Sequence, residues 1–441
     1  MKRRRRRRGR LRRRQRGIVA WFSSLSLLNK SLVISGAVLI TAIAALVIYA
    51  YSLYGKIQTP EIDEKKIVIN DLDESVGEGY TNFVLFGGDS RTGEVTKNLN
   101  TDTIIIVSLN NKTKEVKMVS VYRDTLLDLS NGKIQKCNSA YSRGGAMQAI
   151  NMLNMNLDLN IKKYVTVDFT AVVDLVDMVG GIEVDVKEKE WDEVNKYLYE
   201  TAGAAGKTPH PLTHAGVQTL DGVQATTYAR IRKNVGDDFA RTERQRLVIQ
   251  KVVEKAMKSD LATINKIVNE LFPRIATNFT LTEILSYAKD FKKYKFGETS
   301  GFPFEQSTGT IRGRGSSVFT TNLKKNVSML HEFLYGTEGY EPSSTVARIS
   351  ANIAEIVRTQ RIESSGEDEE DEDGENSENG EGNEDGEGGG TEGGGTEGGG
   401  TEGGGTEGGG NAGGGTEGGG NAGGGNAGGG IEGGEDVPET P

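Results

Sequence analysis

The chain has 441 residues, with 53 Lys and Arg against 62 Asp and Glu and a formal net charge of −9. That total pools three unlike segments: residues 1–16 carry twelve positive charges and no acid, residues 362–441 carry 23 acids and no base, and the part between is nearly neutral. An acidic protein seeking cationic ligands is excluded, and so is a soluble cytoplasmic protein once the 25 uncharged residues from Ser31 to Gly55 are counted.

The first element in chain order is a basic arm over 1–30. Its run of Lys2, Arg3 to Arg8, Arg10, Arg12 to Arg14 and Arg16 could serve nucleic acid. Beside an apolar span it reads instead as the positive-inside signal that keeps the N-terminus in the cytoplasm, and nucleic acid is not an expected partner. The stretch 31–55 predicts a transmembrane anchor, since about 20 apolar residues cross the hydrocarbon core. It exceeds the ~7–15 residues of a secretory h-region and runs on through Tyr49, Tyr51 and Tyr54, an aromatic interface belt. The expected location is the cell membrane, with the lipid bilayer as a partner and residues 57–441 outside the cell. Cys137 is the single cysteine, so stability has to come from core burial rather than from a disulfide within the chain.

Residues 56–79 predict a stalk, with a globular domain opening near Tyr80. Asn82 to Phe86 reads as a strand ending at Gly87-Gly88. Thr103 to Leu109 is a continuous β-branched run, the pattern of a strand covered on both faces. After the turn Asn110 to Lys114, Glu115 to Val121 alternates as a third strand. Helical spacing covers Gly144 to Leu159. Lys163 to Asp168 is a strand, Phe169 to Met178 an apolar helix stopped by Gly180-Gly181, and Ile182 to Val186 a strand. Helical patterns follow at Asp221 to Ile231, Asp238 to Met257, Leu261 to Leu271, Leu281 to Tyr294 and Thr321 to Tyr335. The class is α/β, a mixed central sheet with helices on its faces. Residues 258–361 are expected to form a helical extension. Residues 362–441 hold 34 of the 60 glycines, repeat every five residues from Thr391, and are expected to be a disordered tail that projects away from any anionic site.

Asp89 and Arg91 follow the first strand, Asp102 precedes the second, and Arg123-Asp124 follow the third. Antiparallel pairing of these strands would gather all five at one sheet end. Carboxylates among arginines suit a divalent cation plus an anion such as a phosphate, although the same residues also suit surface ion pairs and turn caps. A second group lies on the later helices: Arg230 and Arg232 end one, and Asp238, Arg241, Arg244 and Gln245 open the next. Arginines at a helix N-terminus are locally unfavourable unless an anion joins them. His210 and His214 flank Pro211 and lack the glutamate of a zinc helix. Cys137 reads as a small hydrophobe, buried or half-buried, rather than a nucleophile.

Gly88-Asp89-Ser90-Arg91, Asn100-Thr101-Asp102-Thr103, Ser120 to Thr125, Leu220-Asp221-Gly222, Tyr228 to Arg232, and Asp238 through Arg241 to Arg244-Gln245 together resemble the LytR-CpsA-Psr family over about residues 80–257. The resemblance implies a membrane-anchored phosphotransferase. It would move an anionic glycopolymer from an undecaprenyl-pyrophosphate carrier to a peptidoglycan acceptor through a phosphodiester. It implies Mg²⁺ held by Asp89 and Asp102, and pyrophosphate bound by Arg91, Arg123, Arg230, Arg232, Arg241 and Gln245 with Lys136. The helix Phe169 to Met178 becomes a candidate lipid-pocket wall. Asp124 or Asp238 serves as the base for the acceptor hydroxyl or orients an arginine, and orientation is preferred. Tyr122 and Cys137 depart from the family pattern. A competing reading is a polyprenyl-phosphate-binding sensor or attenuator of envelope genes without enzymatic activity. A wall-tethering scaffold is a third.

Overall fold

The structure is a computed structural model that describes residues 17, 21–88, 95–96, 101–232 and 234–362. The basic run of residues 2–16 and the glycine-rich tail from residue 363 lie outside the described residues, as do Asp89 and Arg91.

Helix α1 (Leu27–Tyr54) is capped by Ser26 and buries no side chain of its own. Among the described residues it alone is long and apolar enough to cross a membrane. The core of the fold is a six-stranded mixed sheet of β1 (Tyr80–Gly88), β2 (Thr101–Asn110), β3 (Glu115–Val121), β6 (Lys163–Asp168), β9 (Ile275–Thr277) and β10 (Lys295–Phe302), ordered β10-β3-β2-β1-β6-β9. β1 and β2 pair antiparallel from Tyr80 opposite Asn110 to Gly88 opposite Thr101, and β2 pairs antiparallel with β3. The end of β1, the start of β2 and the end of β3 therefore share one edge, as the sequence predicts.

The uninterrupted apolar run of β2 is explained by what covers it. Ile104 and Ile106 face one cluster, while Ile105 and Val107 face another. The first face is covered by α2 (Ser139–Leu157), α9 (Leu323–Tyr335) and α10 (Ser344–Gln360). The second receives Ile249 from α6 (Asp238–Lys258). A third cluster joins α3 (Phe169–Met178), the hairpin of β7 (Ile182–Val186) and β8 (Gly216–Leu220), α4 (Glu188–Ala205), α5 (Gly222–Tyr228) and α6. Two strands, β4 (Leu126–Asp128) and β5 (Ile134–Lys136), form a small ribbon after β3.

Two expectations are corrected. Residues 258–361 are not a purely helical extension. Beyond α7 (Leu261–Leu271) and α8 (Leu281–Lys289) they supply both edge strands of the main sheet, β9 against β6 and β10 against β3. They also supply the hairpin of β11 (Ser307–Ile311) and β12 (Gly315–Phe319), with β11 joined by β13 (Arg361–Ile362). Nor is 56–79 a free stalk. Gln58 bridges to Ala276, and Asn70 donates to the Asp158 carboxylate at 2.6 Å.

Local chemistry fixes the elements around the site. Asp221 caps α5 and forms a reciprocal capping box with Gln224. Gly222 is required by close approach, since a Cβ there would lie 2.0 Å from the Val173 carbonyl oxygen of α3. Tyr122, which departs from the family pattern, is accommodated by another glycine. A Cβ on Gly301 of β10 would lie 1.9 Å from the Tyr122 hydroxyl. The Tyr122 ring then packs edge-on to Phe239, with centroids 4.4 Å apart.

Candidate active site

At the shared sheet edge, Arg123 donates Nη1 to Asp102 Oδ1 at 2.9 Å and Nε to Asp124 Oδ2 at 3.3 Å. Lys136, at the end of β5, reaches Asp124 Oδ1 at 2.9 Å. The first turn of α6 brings Asp238, whose Oδ1 lies 2.9 Å from Arg241 Nη2, 3.7 Å from Arg232 Nε and 3.8 Å from Arg123 Nε. Four cations, Arg123, Lys136, Arg232 and Arg241, thus surround three carboxylates, Asp102, Asp124 and Asp238. Two parts of the sequence more than 100 residues apart are joined there, as the helix-start arginines suggested.

Four cations against three carboxylates leave this edge with a net positive charge, held against burial. Burial opposes charge on Arg123, but Asp102, by charge and hydrogen bond, and then Asp238 and Asp124 outweigh it and raise its pKa. Arg232 moves the other way, lowered by burial and then by the Arg123 charge, with the carboxylates only partly compensating. Asp238 is raised by burial, with Asp124 and Asp102 adding to it, against the pull of Arg123 and Arg232. Its Oδ2 is buried without a hydrogen-bond partner, and so is Arg241 Nε. Unsatisfied buried groups of both signs at one spot are costly unless a ligand completes them.

Behind this edge lies an apolar cavity of about 570 Å³. Its rim carries Asp102, Arg230, Arg232, Arg241 and Gln245, and its walls include Phe169, Val172 and Leu175 of α3, Val248, Ile249, Val252 and Val253 of α6, and Leu271. The expected wall Phe169 to Met178 is therefore in place. Gln245 is turned to Thr103, whose hydroxyl donates to Oε1 at 3.1 Å. Arg230 stands apart from the sheet-edge group. It lies over the Phe169 ring at 4.8 Å and donates to Thr201 at 3.3 Å. Arg123, Asp124, Lys136 and Asp238 do not line the cavity themselves. Of the expected metal ligands, Asp102 is at the rim and half exposed, and Asp89 lies outside the described residues, as does Arg91.

Arg244 has a different task from Arg241. It is buried, donating to the carbonyls of Ile231 at 2.5 Å and Val235 at 3.1 Å and pairing with Glu190 at 3.2 Å. It thereby fixes the loop that carries Arg232. Sequence reasoning missed α4, whose Tyr197, Glu200 and Thr201 complete the cavity wall. Its signal was the spacing of Val194, Leu198 and Ala202, which are buried along one face. Cys137 is fully buried, with Sγ donating to the Tyr122 and Arg123 carbonyls at 3.2 and 3.3 Å, and burial raises its thiol pKa far out of the nucleophilic range.

The model of the LytR_cpsA_psr family matches residues 45–332, about two thirds of the chain. The chain belongs to this family. It is 29% identical over 360 residues to biofilm regulatory protein A of Streptococcus mutans, covering 72% of this chain and 86% of that protein. It is 31% identical over 245 residues to the polyisoprenyl-teichoic acid–peptidoglycan teichoic acid transferase TagV of Bacillus subtilis, covering 53% of this chain and 59% of that one. Among solved structures, protein gbs0355 from Streptococcus agalactiae matches with a TM-score of 0.51 at 26% identity, covering 62% of this chain and 94% of that one. The LytR_cpsA_psr match spans the cavity, the arginine edge and the two edge strands β9 and β10 of the main sheet.

Proposed function

We propose that this LytR_cpsA_psr member is a membrane-anchored phosphotransferase. It takes an anionic glycopolymer from a polyprenyl-pyrophosphate carrier, undecaprenyl in the resemblance noted above, and joins it to a peptidoglycan hydroxyl through a phosphodiester. The observation that carries the reading is an apolar cavity whose rim is set with arginines, one of them, Arg241, with a buried Nε donor that has no acceptor. A lipid with a pyrophosphate head matches both halves. The names of relatives such as TagV support the reaction class.

In the reaction the acceptor oxygen bonds to the phosphorus that carries the glycopolymer. The bond from that phosphorus to the bridging oxygen breaks, polyprenyl monophosphate leaves, and the acceptor proton is released to solvent. Such transfers depend on positioning and charge stabilisation more than on a strong base. Arg241 and Arg232 bind the pyrophosphate, with Arg230 and Gln245 at the rim. Arg123 faces the transferring phosphoryl group, held in place by Asp102 and Asp124. Asp238 orients Arg241 rather than acting as a base, since its Oδ1 is taken by that arginine and its Oδ2 is buried. Lys136 balances Asp124. Magnesium belongs to the same proposal. It is commonly held by one or two carboxylates plus substrate phosphates, which fits the half-exposed Asp102 with Asp89. When bound it would neutralise charge on the phosphates.

The basic arm places the N-terminus in the cytoplasm and the domain outside. The test is to incubate the full-length protein with a lipid-pyrophosphate glycopolymer, a peptidoglycan oligomer and Mg²⁺. A phosphodiester product that disappears with EDTA supports the enzyme. Lipid binding without product supports a sensor.

A further inference from the structure

The membrane helix does not simply end at the domain; it is bonded to α7. Tyr49, still within the apolar span, donates its hydroxyl to Asn265, and Asn269 donates to the Tyr49 hydroxyl at 3.4 Å. Lys56, just past the span, reaches Asn269 at 2.6 Å. The Tyr54 hydroxyl bonds to the Phe279 carbonyl at 3.1 Å.

These contacts set a direction. Passing from Tyr49 to Lys56 moves out of the bilayer, and the same path along α7 leads from Asn265 to Asn269. The start of α7 therefore points back toward the membrane. If Lys30 marks one boundary, about 20 residues of hydrocarbon core bring Tyr49 to the other boundary. Leu261 lies one turn beyond Asn265, about 6 Å further toward the lipid at 1.5 Å per residue. It is 87% exposed, although it opens a helix whose Ile267 is buried. Lys258 and Lys266, both exposed, flank it with amines that can reach headgroup phosphates.

We propose that the start of α7 is a membrane-docking element, with Leu261 seated in the leaflet on the domain's own side of the membrane. The occupant of this exposed apolar surface is the bilayer that already holds α1, because the two are continuous through the Tyr49 and Lys56 contacts. The ~6 Å by which Leu261 lies beyond Asn265 falls within the roughly 5–10 Å to which the apolar faces of interfacial helices are buried.

The consequence concerns the cavity. α6 carries its lining from Arg241 to Val253, about 18 Å along the helix, and then leads directly into α7. Docking at Leu261 turns the apolar end of the cavity toward the leaflet and holds the arginine rim away from it. A prenyl chain then enters the cavity from the membrane side, while its charged head meets the acceptor in the aqueous space. The inference rests on α1 being a membrane anchor, and the test separates the two.

Full-length protein carrying Leu261→Cys is spin-labelled and reconstituted in vesicles of phosphatidylcholine and phosphatidylglycerol. Accessibility to oxygen is compared with accessibility to a water-soluble nickel chelate. Buried Cys137 stays unlabelled, with unsubstituted protein as the blank and a Cys137→Ala background as a second arrangement. Leu39→Cys reports the span, and Tyr199→Cys, on the exposed side of α4, reports water. The expected result is an excess of oxygen over nickel collisions at Leu261 and Leu39, and the reverse at Tyr199. Nickel excess at Leu261 with oxygen excess at Leu39 overturns the docking and spares the anchor. Nickel excess at Leu39 overturns the anchor and the docking together.

Discussion

Arg123, at the end of β3, is held by Asp102, at the start of β2, through a 2.9 Å bond from Nη1 to Oδ1. The bond exists because antiparallel pairing brings these two strand ends together. Together with the bond to Asp124 it holds the guanidinium in one orientation before an anion arrives. Replacing Arg123 by Ala is expected to lower glycopolymer transfer by about 10³-fold or more, the scale seen when a guanidinium is removed from a transferring phosphoryl group. Arg123→Lys should recover only part, because an ammonium lacks the fork that meets Asp102 and phosphate together. Circular dichroism of Arg123→Ala should match the wild type. Full transfer by that variant would remove Arg123 from the site.

Filling the cavity should separate lipid binding from the charged rim. Val172 lines the wall on α3 and is only partly buried. Val172→Trp is expected to weaken binding of a polyprenyl pyrophosphate by ~10-fold or more, or at least 1.4 kcal/mol. Binding of inorganic pyrophosphate should be unaffected. Titration of each ligand by calorimetry checks both halves.

Gly222 tests the packing beneath the cavity. Its missing side chain lets α5 approach the Val173 carbonyl of α3. Gly222→Ala should destabilise the domain by about 1–3 kcal/mol, the usual cost of overpacking, despite alanine's better helix propensity. Urea unfolding measures it, and an unchanged midpoint would contradict the close approach.

His331 supplies a pH dependence. It is buried, stacked on Tyr340 at 3.7 Å, with Nε2 bonded to the Leu157 carbonyl at 3.0 Å. Burial lowers its pKa below the ordinary 6.5, against the partial support of that carbonyl and Asp158. The unfolded chain then binds more protons as pH falls, so the contribution is present above about 6.5 and is lost as pH falls toward the folded pKa. The melting temperature of the wild type should drop more between pH 7.5 and 5.5 than that of His331→Gln.

Much of this was legible in the sequence, and the reasons are local. β3, β6, α3 and α7 carry dense apolar or alternating patterns, and their bounds match the sequence reading. The edge strand β10 was not legible because Gly297, Thr299, Ser300 and Gly301 dilute its pattern, and Gly301 is there to admit Tyr122. The arginines at the start of α6 could be recognised as a group. Their division of labour could not, since helical spacing places Arg241 and Arg244 near each other. Only the fold shows Arg241 facing Asp102 and Asp238 while Arg244 is spent on Glu190 and two carbonyls.

In the proposed complex the carrier lies along α6 with its pyrophosphate at the arginine rim. This placement is tested most directly with a polyprenyl pyrophosphate carrying a photoreactive diazirine near the tail end of the chain. After irradiation of the full-length protein in vesicles, mass spectrometry locates the crosslinks. They are expected at Val252, Val253 or Leu271, with loss in Val172→Trp. Crosslinks confined to the protein surface, or unchanged in that variant, would contradict it.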